Sequence, residues 1–257
     1  MLPRQDCALT HTGNVRTNNE DAFLADSKVG LWVVADGMGG HEAGEVASEI
    51  VINTIRDNVE HGNTLPDAIQ SAHTAVLEGA LNGKGARGMG STVVALKADQ
   101  KQYSVSWVGD SRAYLWTRTS ENKGMLKRLT TDHSYVQMLV QSGVITAKEA
   151  ESHPDKNIIT QCLGSLELGS VKVDTVEGSW LSTQWILLCS DGLSDELEDS
   201  LISAILANNP QLETAAKLLL QQALDCGGRD NTTIILVGQA AEHGSLWDSM
   251  TSWLRRK

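Results

Sequence analysis

The chain reads as an α+β protein of antiparallel sheets faced by helices, and three observations predict it. Short apolar runs of strand length recur along the sequence. Stretches with helical spacing come in blocks between groups of consecutive strands, instead of alternating with single strands as a parallel sheet would require. Over 257 residues, 41% hydrophobic and 21% charged side chains suffice for a full core and exclude a disordered or collagen-like chain.

Strands are expected at residues 31–35, 91–97, 103–108, 112–116, 171–176, 185–189 and 232–237, each bounded by turn residues. Between them, residues 43–59 place Val46, Ala47, Ile50, Val51, Ile55 and Val59 on one helical face, and 65–81, 201–207 and 214–224 read similarly. Residues 134–165 hold one short helical stretch and little strand signal, so they are expected as an insertion over the core. With no repeat, low-complexity segment or Pro-rich linker before residue 240, residues 1–240 should form one domain. In the tail, 241–257, Leu246, Trp247, Met250, Trp253 and Leu254 have helical spacing ahead of Arg255, Arg256 and Lys257. An amphipathic helix docked on its own domain is expected there, with a partner protein or a membrane surface as alternatives.

The net charge of −11 argues against nucleic acid as a partner and suits a protein that collects cations. No run approaches the roughly 18 to 20 apolar residues of a membrane span, and the first residues lack the apolar stretch of a signal peptide, so a cytoplasmic location is expected. A monomer is expected as well. Cys7, Cys162, Cys189 and Cys226 are far apart without a C-x-x-C pair, which points to buried free thiols.

The chemical signal is aspartate at the ends of apolar strands. Residues 31–35 run into Asp36-Gly37, residues 103–108 into Gly109-Asp110-Ser111, and residues 185–189 through Ser190 into Asp191-Gly192. Asp230-Asn231 precedes residues 232–237, and Asn19-Glu20-Asp21 follows Arg16. Any single Asp-Gly pair is usually a hairpin turn. Several carboxylates capping strands of one core are different, because two of them about 4 Å apart repel by roughly 4 kcal/mol at an effective dielectric near 20. Such a cluster needs cations, and an all-oxygen donor set favours Mg²⁺ or Mn²⁺ over Zn²⁺. Nucleotide-binding readings fail: Gly37-Met38-Gly39-Gly40 lacks the third glycine of a dinucleotide fingerprint, and residues 85–92 lack the P-loop lysine.

The ordered set Arg16-x-x-Asn19-Glu20-Asp21, Asp36-Gly37-Met38-Gly39-Gly40-His41, Gly88-Met89-Gly90-Ser91-Thr92, Gly109-Asp110-Ser111-Arg112, Thr131-Asp132-His133-Ser134, Ser190-Asp191-Gly192-Leu193 and Arg229-Asp230-Asn231-x-Thr233 closely resembles the bacterial PP2C-type metal-dependent serine/threonine phosphatases. The resemblance implies a four-layer α-β-β-α sandwich with two Mn²⁺ or Mg²⁺ ions at one end of the sheets, and a third, weaker ion. It implies that Asp36 bridges the two core ions, that the carbonyl of Gly37 binds one, and that Asp191 and Asp230 complete the other. Asp110 matches the ligand of the third ion, while Glu20 and Asp21 would act through water. Arg16 would hold the substrate phosphate, since a guanidinium offers two parallel donors. The implied activity is hydrolysis of phosphoserine and phosphothreonine in proteins by metal-activated water, opposing a eukaryotic-like Ser/Thr kinase.

Two positions depart from relatives. Met38 stands where many eukaryotic members have a histidine proposed as general acid, which leaves His41 as the nearest titratable candidate, equally readable as a helix cap. Gln161 stands where arginine is common. A pseudophosphatase is the rival reading from a different class, and the intact set of aspartates disfavours it. A phosphatase that switches an anti-sigma-type partner stays open.

Overall fold

Strands whose residues are all apolar need cover on both faces, and the computed structural model, which describes residues 4–40, 43–99 and 101–239, supplies it. The chain begins with β1 (Arg4–His11), β2 (Asp21–Asp26) and β3 (Leu31–Met38), followed by α1 (Ala43–Glu60) and α2 (Leu65–Leu81). Then come β4 (Gly90–Ser91), β5 (Val93–Ala98), β6 (Gln102–Val108), β7 (Arg112–Ser120) and β8 (Lys123–Arg128). After α3 (Tyr135–Gln141) and α4 (Ala147–Glu151) the chain returns through β9 (Asp174–Ser179) and β10 (Gln184–Cys189). It continues with α5 (Asp191–Ser194), α6 (Asp199–Asn208), α7 (Leu212–Cys226) and β11 (Thr232–Gln239).

These strands form two antiparallel sheets, ordered β1-β11-β10-β7-β8 and β2-β3-β5-β6-β9, with β4 paired to the end of β3. The period-2 alternation of side chains sorts each apolar run into two cores. On β3, Leu31, Val33 and Ala35 pack against α1 and α2, while Trp32 and Val34 face the other sheet. On β10, Leu187 and Cys189 pack against α6 and α7, while Ile186 and Leu188 meet Trp32 and Val34 between the sheets. Three apolar interfaces separate four layers, so the fold is the α-β-β-α sandwich expected.

Three of the helices, α2, α3 and α4, start where short polar side chains cap them. Thr64 Oγ1 accepts from the Asp67 amide at 3.3 Å ahead of α2, and Thr146 with Glu149 closes a capping box on α4. Ser134 caps α3 through the Gln137 amide. Residues 134–165 carry α3 and α4 and touch the core mainly through Val136 and Leu163.

The structure corrects four details. The strand expected at 171–176 begins at Asp174, because Val171 packs against the α1–α2 core. The one expected at 91–97 is split at Thr92, whose amide donates to the Asp36 carbonyl at 2.8 Å. Edge strands β1, β2 and β8 were not anticipated; their half-exposed, partly charged sequences give no continuous apolar run. Of the four cysteines, all free, only Cys189 is buried, and Cys226 is exposed at the end of α7. The tail from residue 240 lies outside the described residues.

Candidate metal centre

Asp36 shares its face of β3 with Trp32 and Val34, so it stands where the inter-sheet core opens at one end of the sandwich. Asp21 is its cross-strand partner on β2. Like charges directly opposite one another destabilise an antiparallel pair. Asp191, in the first turn of α5, and Asp110, between β6 and β7, face the same cleft, and Asp230 joins them from the segment before β11. Desolvation by burial, then the fields of Asp21, Asp191, Asp110 and Asp230, hold Asp36 well above the usual carboxylate range. Asp191 is raised in the same way by burial and by Asp110, Asp195 and Asp230. Burial first pushes Asp21 and Asp110 up to about 6, with neighbouring carboxylates adding to the shift.

Close-packed backbone builds this cleft. A Cβ on Gly37 would sit 2.1 Å from the Gly44 carbonyl oxygen and 2.5 Å from that of Glu20, so only glycine lets β3 approach both the start of α1 and the Glu20 segment. The Gly37 amide donates to the Glu20 carbonyl at 3.1 Å, and Ser48 Oγ donates to the same oxygen at 2.6 Å. A Cβ on Gly192 would meet the Asn231 carbonyl oxygen at 2.1 Å, which brings α5 against the segment carrying Asp230. Gly109, at φ +105, lies against Thr92, whose Oγ1 is 2.7 Å from Ser111 Oγ.

Asn231 joins the two sheets. Its Nδ2 donates to the carbonyls of Thr12 and Asn18 at 2.8 and 2.9 Å, and its Oδ1 accepts from the Glu20 amide at 2.8 Å. Ser190 Oγ donates to Asp21 Oδ2 at 2.8 Å and accepts from the Thr233 amide at 2.9 Å. The sequence motifs contained both residues but gave them no role; the hint was only that each adjoins an aspartate.

Arg16 NH2 lies 2.7 Å from Asp230 Oδ2 at the mouth of the cleft. The Asp230 carboxylate thus pairs with the guanidinium expected to hold phosphate, and its Oδ1 accepts from the Asn231 amide at 2.8 Å. Arg112 and Arg128 both bind Asp132, and His133 Nδ1 accepts from the Gly109 amide at 3.1 Å while its Nε2 faces Asp174 at 3.2 Å. Those contacts brace the turn bearing Asp110. Gln161 Oε1 accepts from the Lys172 amide at 2.8 Å. Lys156, from the 134–165 segment, reaches Asp195 at 2.8 Å. Met38 is partly exposed at the end of β3. His41 lies outside the described residues.

The residues suit hard cations. Glu20 Oε1, Asp21 Oδ1 and Asp191 Oδ1 are buried with no hydrogen-bond partner among the described residues, a cost of several kcal/mol per unpaired charge that a bound cation removes. No three acidic, His or Cys side chains among the described residues close around one ion by themselves. The carboxylates come from separate segments, so an ion held among them would keep water in its coordination, as Mg²⁺ usually does.

Residues 11–225 match the protein phosphatase 2C family. The chain belongs to that family. It is 35% identical over 241 residues to the serine/threonine phosphatase stp of Listeria innocua, covering 89% of this chain and 93% of that one. It is 36% identical over 235 residues to the serine/threonine protein phosphatase PstP of Mycobacterium tuberculosis, covering 89% of this chain and 44% of that longer one. The crystal structure of the M. tuberculosis phosphatase PstP/Ppp superposes with a TM-score of 0.82 at 34% identity, covering 93% of this chain and 99% of that one. A structure of the PstP catalytic domain in complex with two manganese ions gives 0.79 at 32% identity, covering 93% and 99%. The PP2C-type chain is an enzyme, a metal-dependent serine/threonine phosphatase of phosphoproteins. No helix among the described residues is long and apolar enough to cross a membrane.

Proposed function

We propose that the carboxylate cleft holds two Mn²⁺ ions, with Mg²⁺ as the alternative, and that Asp36 serves both while Asp191 and Asp230 serve one and the Gly37 carbonyl the other. The buried, unpartnered Asp191 and Asp21 oxygens beside the Asp21 and Asp36 pair carry this reading, because bound cations offset the repulsion of such an arrangement while leaving the carboxylates ionised. When bound, such ions supply an activated water and neutralise charge on a transferring phosphoryl group.

The chain's own residues do the rest. Arg16, at the cleft mouth, holds the phosphate with charge-assisted hydrogen bonds and gives up its pairing with Asp230 as it does so. Ser190 orients Asp21, and Asn231 holds the 12–20 segment, and with it Arg16, over the cleft. Asp110 holds a third, weaker ion, braced by His133. Glu20 and Asp21 act through water. His41 is the proposed proton donor to the leaving oxygen.

Residues 1–240 form the catalytic domain, and residues 134–165 cover the cleft, a role supported by the contact of Lys156 with Asp195. The substrates are phosphoproteins made by a eukaryotic-like Ser/Thr kinase, in the cytoplasm, and the enzyme works as a monomer. The direct test is hydrolysis of a phosphothreonine peptide. Turnover should require added Mn²⁺ or Mg²⁺ and stop in chelator; full turnover in chelator refutes the metal reading.

A further inference from the structure

Asp191 and Asp230 belong to segments 39 residues apart, and something must fix their separation. The turn before Asp230 is unusual backbone: Gly227 and Gly228 have φ of +151 and +56. On one side Asn14 grips it, its amide donating to the Gly228 carbonyl at 2.7 Å and its Nδ2 to the carbonyls of Leu224 and Gly227 at 2.8 and 3.1 Å. On the other side stands Glu196, in the turn between α5 and α6.

The Glu196 side chain is only 3% exposed, although it lies in a surface loop. Its Oε1 accepts from both the Arg229 amide and Arg229 Nε, at 3.0 and 2.8 Å, and its Oε2 accepts from Arg229 NH2 at 3.0 Å. A Cβ on Gly227 would stand 3.1 Å from Glu196 Oε2, so glycine leaves room for the carboxylate. The side-chain bonds from Arg229 hold Glu196 below the usual carboxylate range. An exposed ion pair contributes little. Here the guanidinium is 69% exposed, but the carboxylate is buried, bidentate and bound to the main chain immediately before Asp230, so its role rests on that backbone bond and geometry more than on charge attraction. Hydrogen-bonded to the backbone at residue 229 and covalently five residues from Asp191, Glu196 bridges the two segments on the N-terminal side of Asp230, in addition to the hydrogen bonds of Thr232 to Gly192 and of Thr233 to Ser190 on its C-terminal side.

We propose that Glu196 is a positioning residue that sets the spacing of Asp191 and Asp230 through Arg229, and so tunes divalent-cation affinity without touching the ions or the substrate. This rests on the reading that these two aspartates share an ion. Partners that orient metal ligands typically contribute 10- to 100-fold in metal affinity.

The experiment is calorimetric titration of the metal-free full chain with Mn²⁺, for wild type, Glu196→Gln and Arg229→Lys, with Asp191→Asn as reference. Both Glu196→Gln, which keeps the size but loses the charged fork, and Arg229→Lys, which keeps the charge but loses its second arm, should raise the Mn²⁺ Kd, by roughly 10- to 100-fold for the more severe. At saturating Mn²⁺ the kcat for phosphopeptide should return to the wild-type value, with KM unchanged. Wild-type Kd in both variants overturns the proposal, as does a kcat that saturating Mn²⁺ does not restore. Arg229→Lys keeps the test open should Glu196→Gln fail to fold. If Asp191→Asn binds Mn²⁺ like wild type, the ligand reading itself fails, a result separate from the behaviour of Glu196.

Discussion

The middle of the sandwich and its open end are made by the same strands and obey opposite rules. On one face of β3, Trp32 and Val34 are fully buried against Ile186, Leu188, Ile235 and Val237, and two residues further on Asp36 meets Asp21, Asp191, Asp110 and Asp230. The middle is apolar and closed, so its side chains satisfy one another. The end gathers carboxylates whose burial and charges raise the affinity of Asp36, Asp191, Asp21 and Asp110 for protons, and a cation completes it. A stable middle allows a repulsive end: burial of large apolar side chains stabilises each by about 1.5 to 3 kcal/mol, enough to hold several unfavourable carboxylate contacts in place.

The sharpest way to separate the two regions is to alter one residue in each. Asp191→Asn should reduce phosphopeptide turnover to near background while leaving the fold intact, as read by circular dichroism. A variant that keeps wild-type kcat removes Asp191 from the site. Leu188→Ala, in the middle, should do the reverse. It leaves a cavity and should cost about 2 to 5 kcal/mol of stability, with an Mn²⁺ Kd equal to that of wild type. A shifted Kd would mean that the core and the cleft are coupled. Smaller effects belong to the rim. Arg16→Ala should raise KM for phosphopeptide by about 10- to 100-fold, the worth of a charge-assisted hydrogen bond of about 1.5 to 3 kcal/mol, with kcat less affected. An unchanged KM would leave Arg16 as a partner of Asp230 alone. Asp110→Ala should still bind two ions in a calorimetric titration but turn over more slowly.

The contrast also governs what the sequence disclosed. Strands β3, β5, β6, β10 and β11 were legible because cover on both faces demands an unbroken apolar run. β1, β2 and β8 were not, because a sheet edge tolerates polar residues and removes that signal. At the cleft, Asp36, Asp110 and Asp191 were legible as aspartates at strand ends, and the structure brings them together with Asp230, Asp21 and Glu20. The residues that hold them could not be found that way. Glu196 meets Arg229 from 33 positions away and Ser190 meets Asp21 from 169, and no local pattern records such long-range pairs. The pairing of Arg16 with Asp230 was missed for the same reason.

Like charge at the end of the sandwich is held in place for a cation, and thermal unfolding with and without Mn²⁺ shows whether it is. Without metal, Asp36→Asn should unfold at a higher temperature than wild type, because it removes one carboxylate from the cluster. At an Mn²⁺ concentration about 100 times Kd, wild type should gain about 2.7 kcal/mol, or about 5 to 10 °C, and Asp36→Asn much less, so that the order of the two proteins narrows or reverses. A metal-free Asp36→Asn no more stable than wild type, with an equal gain from Mn²⁺, would contradict it.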